Sequence, residues 1–252
     1  MTVVATIQAR MGSKRFPGKV MKKILGKPII QLQIERLKKS KYIKKIVVST
    51  SKNPKDKKIY NFCKKKLNVD VYCGSENDVL SRVVNTIKKF KIKTHVECFG
   101  DSPLVDPKLI DQFIVKFKKK KIDCITNTLK TTFPPGQEIM IYKGSKLLQL
   151  NKIIAKNDPL REHVGYNFTR FKSKFSVENV EAPKKYHYPE IYMEIDKPVD
   201  LKFVESIFLH FWKKKKSFFN LKEILRFLKT KKYLIKINNK VLRRWKALRK
   251  ND

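Results

Sequence analysis

No run of 18 apolar residues occurs anywhere in this 252-residue chain, so no stretch has the length of a bilayer-spanning helix. The chain opens on an apolar, β-branched run with no cationic segment ahead of it, which argues against a secretory leader. Cysteine is sparse: Cys63, Cys73, Cys98 and Cys124 stand far apart among apolar residues, without a C-x-x-C pair. They read as reduced core thiols of a cytoplasmic protein. Acid is short as well, with 22 Asp and Glu against 60 Lys and Arg and a net charge of +38. Within that basic excess arginine is the minority, only ten of the 60. Specific readers of phosphate and base favour the planar arginine fork. Lysine here falls on predicted solvent faces and helix ends, as in Lys64-Lys65-Lys66 and Lys213 to Lys216. No specific nucleic-acid partner is therefore expected; a non-specific, salt-sensitive nucleic-acid binder is the alternative. Catalytic signatures are missing too. Five residues separate Gly12 from Gly18, where the P-loop needs four, with Pro17 among them and Val20 after Lys19, so the P-loop spacing fails. No G-x-G-x-x-G occurs, and Arg161-Glu162-His163 has neither metalloprotease spacing nor a serine partner.

What is present begins at the N-terminus. Thr2 to Ile7 reads as a buried strand, and Gln8 to Lys19 follows it as a loop with two glycines, a proline and four cations, Arg10, Lys14, Arg15 and Lys19. Open α/β folds place ligands at the carboxyl end of a first strand, where cations among backbone N–H groups suit a polyphosphate. A basic surface turn is the plain alternative.

Strand and helix then alternate with short links. A helix is predicted over 28–40, a strand over 45–50, a helix over 55–66 and a strand over 69–73. Next come a helix to about residue 90, a strand over 94–99, a helix over 107–120 and a strand over 122–127. This order predicts a doubly wound, mainly parallel α/β sheet. The alternation lapses after Asn127, where the hard turn Phe133-Pro134-Pro135-Gly136 precedes a predicted strand over 138–142 and a helix over 145–155. A strand over 192–196, helices over 198–212 and 221–228, and a partly mobile basic tail over 231–252 complete the reading. Without repeats or a long linker, one domain covers 1–252. Residues 128–190 form an inserted subregion whose aromatics (Phe133, Tyr142, Phe168, Phe171, Phe175, Tyr186, Tyr188) suit either a homodimer interface or the chain's own core.

Five stretches, in order, resemble the cytidylyltransferases that activate acidic sugars with CTP. They are Ile7 to Lys19, Gly74 to Arg82, Gly100 to Pro107, Leu160 to Val164 and Glu194 to Leu201, and together the likeness spans roughly residues 3–240. The family includes the CMP-sialic acid and CMP-ketodeoxyoctulosonate synthetases and the spore-coat polysaccharide cytidylyltransferases, the last being nearest. The resemblance implies a nucleotide-diphospho-sugar transferase-like, Rossmann-like three-layer fold with 128–190 as lid and dimer contact. It implies transfer of CMP from CTP to an acidic (2-keto) sugar with loss of pyrophosphate, dependent on Mg²⁺. Another NTP or a phosphorylated acceptor is the alternative within this chemistry.

By the same resemblance Ala9, Arg10, Gly12, Ser13, Arg15 and Lys19 contact the nucleotide, with Arg15 and Lys19 on the β- and γ-phosphates. Lys14 is equally well read as a solvated lysine. Asp101 is implied as a catalytic Mg²⁺ ligand and Asp196 as its second carboxylate. The plainer roles are helix caps, for which Asp106 is better placed than Asp101. Asp78 and Arg82 are either nucleotide contacts or an ion pair four residues apart on one helix. Arg161 and Glu138 are implied on the acceptor side; for Arg161 a salt bridge to Glu162 or Glu138 is the alternative. One departure stands out: after the Pro-Gly turn the relatives carry two acids flanking an apolar residue, whereas Glu138-Ile139-Met140 keeps one and puts Met140 at the second position.

Overall fold

The structure is a computed structural model that describes residues 2–241. Its chain order is β1 (Val3–Gln8), a small hairpin β2 (Lys23–Ile24) and β3 (Lys27–Pro28), α1 (Ile29–Leu37), β4 (Ile43–Ser51), α2 (Lys57–Asn61), β5 (Asp70–Gly74) and α3 (Val79–Lys89). There follow β6 (Thr94–Phe99), α4 (Pro107–Lys119), β7 (Cys124–Thr126), β8 (Met140–Lys143), α5 (Gly144–Ile153), α6 (Asn167–Arg170), β9 (Val177–Asn179), α7 (Pro198–Lys213) and α8 (Leu221–Thr230).

Seven strands form one sheet in the order β5-β4-β1-β6-β8-β7-β9. All pairings are parallel except the two made by β8, which runs antiparallel between β6 and β7. The expected mainly parallel, doubly wound sheet is what forms. Strand alternation splits the side chains between two cores. Val3, Ala5, Ile7, Val96 and Ile141 face α1, α4, α7 and α8, whose apolar stripes complete the larger core. Val4, Val47, Met140 and Tyr142 face α3, α5 and the segment around Phe168 in the smaller one.

One expectation needs correction and others gain detail. Within residues 128–190, β8 and β9 join the main sheet. Of the seven aromatics for which an interface and the chain's own core were the alternatives, Phe133, Tyr142, Phe168 and Phe175 lie buried in this chain's own cores. The run over 192–196 makes no ladder. It is a buried extended segment whose backbone is satisfied by loops, Met193 N–H donating to the Pro135 carbonyl (2.6 Å) and Ile195 N–H to that of Asp101 (2.9 Å). The part of the basic tail within the described residues packs down: Leu234 is buried, and the buried Asn238 amide donates to the Tyr192 carbonyl and to Asp200 Oδ1. The rest of that tail, 242–252, lies outside the described residues.

Candidate functional site

The strand order places a switch point between β1 and β6: the chain leaves β1 toward β4 and β5, and leaves β6 toward β8, β7 and β9. Such sheets take ligands in the crevice outside the carboxyl ends of their strands at such a point, which the loops after β1 and β6 border side by side. Residues 9–18 border it, pinned from below by buried Phe16 and Val20. Gly18 turns the loop with φ +67°, a conformation that disfavours side chains, and its N–H donates to the Met11 carbonyl (2.9 Å). Gly100 is required for a different reason. Its N–H bonds to the Gln8 carbonyl, and a Cβ would stand 2.9 Å from that oxygen and 3.2 Å from Ala9 Cβ. The β6 loop is thereby pressed against the opening loop, which sets Asp101 beside it.

Four charged side chains meet there. Lys19 Nζ lies 2.7 Å from Asp101 Oδ2 and 3.1 Å from Asp196 Oδ1, and Arg15 lies 2.7 Å from the same Asp196 oxygen. Burial pushes the Lys19 ammonium down, but the carboxylates of Asp101 and Asp196 more than offset this, and its pKa is raised. For Asp196 burial pushes up, while Lys19 and Arg15 bring the carboxyl below its usual range. Asp196 arrives on the loop over 192–197, not at the end of a sheet strand. It does not cap α7: the buried Asp200 carboxylate does so, accepting from the N–H groups of Asp196 and Lys197 (3.0 and 2.8 Å). Asp106 takes the capping role on α4, accepting from Lys108 N–H (2.9 Å). Both Asp101 and Asp196 are thus left for other chemistry. The point both carboxylates reach is the Lys19 ammonium; as hard oxygen donors they are of the type that holds Mg²⁺, which commonly takes one or two carboxylates and completes its shell from substrate phosphates and water. Among the described residues no cluster of three or more His, Cys, Asp or Glu could hold a metal by itself.

Arg10 pairs with Glu162 (2.9 Å) at the surface, and Ser13, half-buried, lies on the same loop. Lys14 is exposed. Gly12 is exposed at ordinary φ, with Glu76 Oε1 3.3 Å from where a Cβ would stand. Asp78 and Arg82 do not pair with each other. Asp78 caps α3 through Ser81 N–H (2.8 Å) and pairs with Arg161 (2.8 Å), while Arg82 is buried and donates to the Ser75 carbonyl (2.6 Å). Burial lowers the Arg82 pKa to about 10. Arg161 is buried among Asp78, the Asn151 side chain and the Ile154 carbonyl, so its bridge is to Asp78 rather than to Glu162 or Glu138. Glu138 folds back on its own turn and accepts from Gly136 N–H (2.7 Å).

Two carboxylates that sequence reasoning missed shape the site. Buried Asp56 accepts from Met11 N–H (2.7 Å) and from the backbone and hydroxyl of Ser51, fixing the start of the opening loop. Buried Glu97, on β6, receives Gln8 Nε2 (2.7 Å) and Tyr142 Oη (2.9 Å). Asp56 lay hidden in a lysine-rich helix and Glu97 inside an apolar strand; a lone acid in an apolar run was the available signal.

The cytidylyltransferase family model matches residues 4–234. The spore coat polysaccharide biosynthesis protein SpsF of Bacillus subtilis is 28% identical over 210 residues, covering 82% of this chain and 86% of that one. An 8-amino-3,8-dideoxy-manno-octulosonate cytidylyltransferase of Shewanella woodyi is 28% identical over 243 residues, covering 82% and 98%. A solved cytidylyltransferase from Leptospira borgpetersenii superposes with a TM-score of 0.86 at 30% identity, covering 96% of this chain and 99% of that one.

Proposed function

Because the chain belongs to the cytidylyltransferase family, we propose that it transfers CMP from CTP to an acidic, 2-keto-type sugar or a related acceptor. Pyrophosphate is released, and the product serves surface-polysaccharide synthesis. The observation that carries the reading is the meeting of Arg15, Lys19, Asp101 and Asp196 at the switch-point crevice. An acceptor oxygen attacks the α-phosphorus, and the bond to the bridging oxygen of pyrophosphate breaks. Negative charge grows on the leaving group, so fixed cations beside it lower the barrier. Lys19 lies at the base of the loop against two carboxylates and can turn to the β- and γ-phosphates when those carboxylates take the metal. Arg15 is more exposed than Lys19, so its guanidinium is the freer of the two to leave the carboxylate for phosphate. Asp101 and Asp196 would hold Mg²⁺, which supplies Lewis-acid charge to the α-phosphate and the departing group.

Sugar-acid acceptors are supported by the relative named for 8-amino-3,8-dideoxy-manno-octulosonate, and polysaccharide synthesis by the spore-coat relative. The test is to incubate purified protein with each NTP, Mg²⁺ and a panel of keto-sugar acids and to assay pyrophosphate. Release with CTP and a keto-sugar acid is expected. Release with a different NTP, or only with a phosphorylated sugar, would overturn the choice of base or acceptor.

A further inference from the structure

Glu97 sits at the centre of the sheet, 1% exposed, on the face opposite the larger core. Three elements converge on it: Gln8 at the root of the opening loop, Tyr142 on β8, and the backbone N–H of Gly165 in the segment that carries Arg161. The approach of that segment is close. A Cβ at Gly165 would stand 1.8 Å from Met140 Sδ and 2.6 Å from Glu97 Oε2. Gln8 is only half-buried, at the carboxyl end of β1 and in register with Phe99, itself 38% exposed. Its amide nitrogen is given to Glu97. Its amide carbonyl has no hydrogen-bond partner among the described residues.

We propose that Gln8 is a ligand-contacting residue of the crevice and that Glu97 is its positioning residue. Ionised Glu97 accepts from three donors and so can meet Gln8 only through the NH₂ group, which leaves the Gln8 carbonyl outward as an acceptor. Protonated Glu97 carries one O–H donor of its own. The Gln8 amide then turns to accept it and presents NH₂ outward. The crevice thus offers a hydrogen-bond acceptor to a ligand hydroxyl at higher pH and a donor at lower pH. Identifying that hydroxyl with the acceptor sugar rests on the function proposed above; the coupling of Glu97 to Gln8 does not.

The surroundings single out Glu97 as the titrating group. His95 and Cys98 on its own strand, Tyr142 on β8 and Cys124 on β7 are the titratable side chains set against it. Thr6 and Gln8 on β1 carry no charge. Burial pushes His95 down to about 3 and Cys98 up to about 12, and raises Cys124 and Tyr142 well above their usual values. All four stay neutral near pH 7. Burial raises Glu97, and the bonds from Tyr142, Gly165 and Gln8 pull it back only to about 7.

The experiment follows the Gln8 side-chain amide by NMR in the full chain, its signal identified by loss in Gln8→Met. In the wild type it should move with a midpoint near the value of about 7 for Glu97. In Glu97→Gln it should stay still over about pH 5.5–8.5. Tyr142→Phe, which removes one donor to the carboxylate, should move the midpoint up and serves if Glu97→Gln does not fold. In turnover at about pH 8, Glu97→Gln should lower kcat/KM for the acceptor about tenfold, the worth of one reversed hydrogen bond. KM for CTP should change less than about twofold, and the pH dependence carried by Glu97 should vanish. A Gln8 signal that titrates alike in both proteins, or does not move at all, overturns the proposal. So does an equal loss on CTP and acceptor at every pH. Absence of turnover with every keto-sugar acid would instead defeat the functional reading, with the NMR result still deciding the Glu97–Gln8 pair.

Discussion

Replacing Lys19 by alanine is the most informative single change. Its ammonium, 11% exposed, holds Asp101 at 2.7 Å and Asp196 at 3.1 Å. Removing one partner of a fully buried pair costs about 3–5 kcal/mol. Here the cost is smaller, because the Asp101 side chain is 24% exposed and Asp196 keeps Arg15. We expect about 1–2 kcal/mol of lost stability, or roughly 2–8 °C in Tm for a chain of this size. The raised Lys19 pKa fixes the sign with pH. The stability it contributes is fully present below its unfolded value of 10.5 and is lost only as pH climbs through the higher folded value. The gap between wild type and variant should therefore be flat across neutral pH, closing in strong alkali and also in acid as pH falls through the depressed Asp196 pKa. Activity should fall much further, by about 10²–10³ or roughly 3–4 kcal/mol, because a fixed cation beside the leaving group is gone. Pyrophosphate release from CTP, assayed well below the variant's Tm, separates this from unfolding. Arg15→Ala should follow Lys19→Ala, while exposed Lys14 makes no ion pair among the described residues and Lys14→Ala should stay within about threefold of wild type. Equal losses at all three positions would mean that the loop acts as diffuse positive charge, and the assignment would fail.

Asp101→Asn and Asp196→Asn should fold normally and lose activity, with partial rescue by Mn²⁺, because neither carboxylate caps a helix and an amide is a poor ligand for Mg²⁺. An Asp196→Asn enzyme with unchanged turnover and Mg²⁺ dependence would remove that residue from the site. Gly165→Ala should cost about 1–3 kcal/mol in urea unfolding, since its Cβ would overlap Met140 Sδ at 1.8 Å. Unaltered stability would show that the segment can lift off the sheet without penalty.

How much was legible before folding depends on the range of the interaction. Strand β6 over Thr94–Phe99, the Asp106 cap with Pro107 at the head of α4, and the glycine at position 18 follow from residues near in sequence. Side-chain period, capping chemistry and backbone sterics act over a few residues, so sequence by itself determined these, and the α/β alternation with them. The order of charged residues in the opening loop was readable for the same reason.

Partners far apart in sequence were decided only by tertiary structure. Period-two apolarity does not distinguish a ladder strand from a buried extended segment, so 192–196 read as a strand although its N–H groups are taken by Pro135 and Asp101. Asp78 and Arg82 stand at ion-pair spacing, yet Arg161 comes in from a distant loop and takes the Asp78 carboxylate at 2.8 Å. Glu97 showed in the sequence as an acid in an apolar strand. Only the register of β1, β6 and β8, with Gly165 pressed onto them, gave it three donors and a raised pKa. The convergence of Asp101 and Asp196 on Lys19 likewise required the strand order that opens the crevice, because a charge acts on whatever the fold brings within a few ångströms.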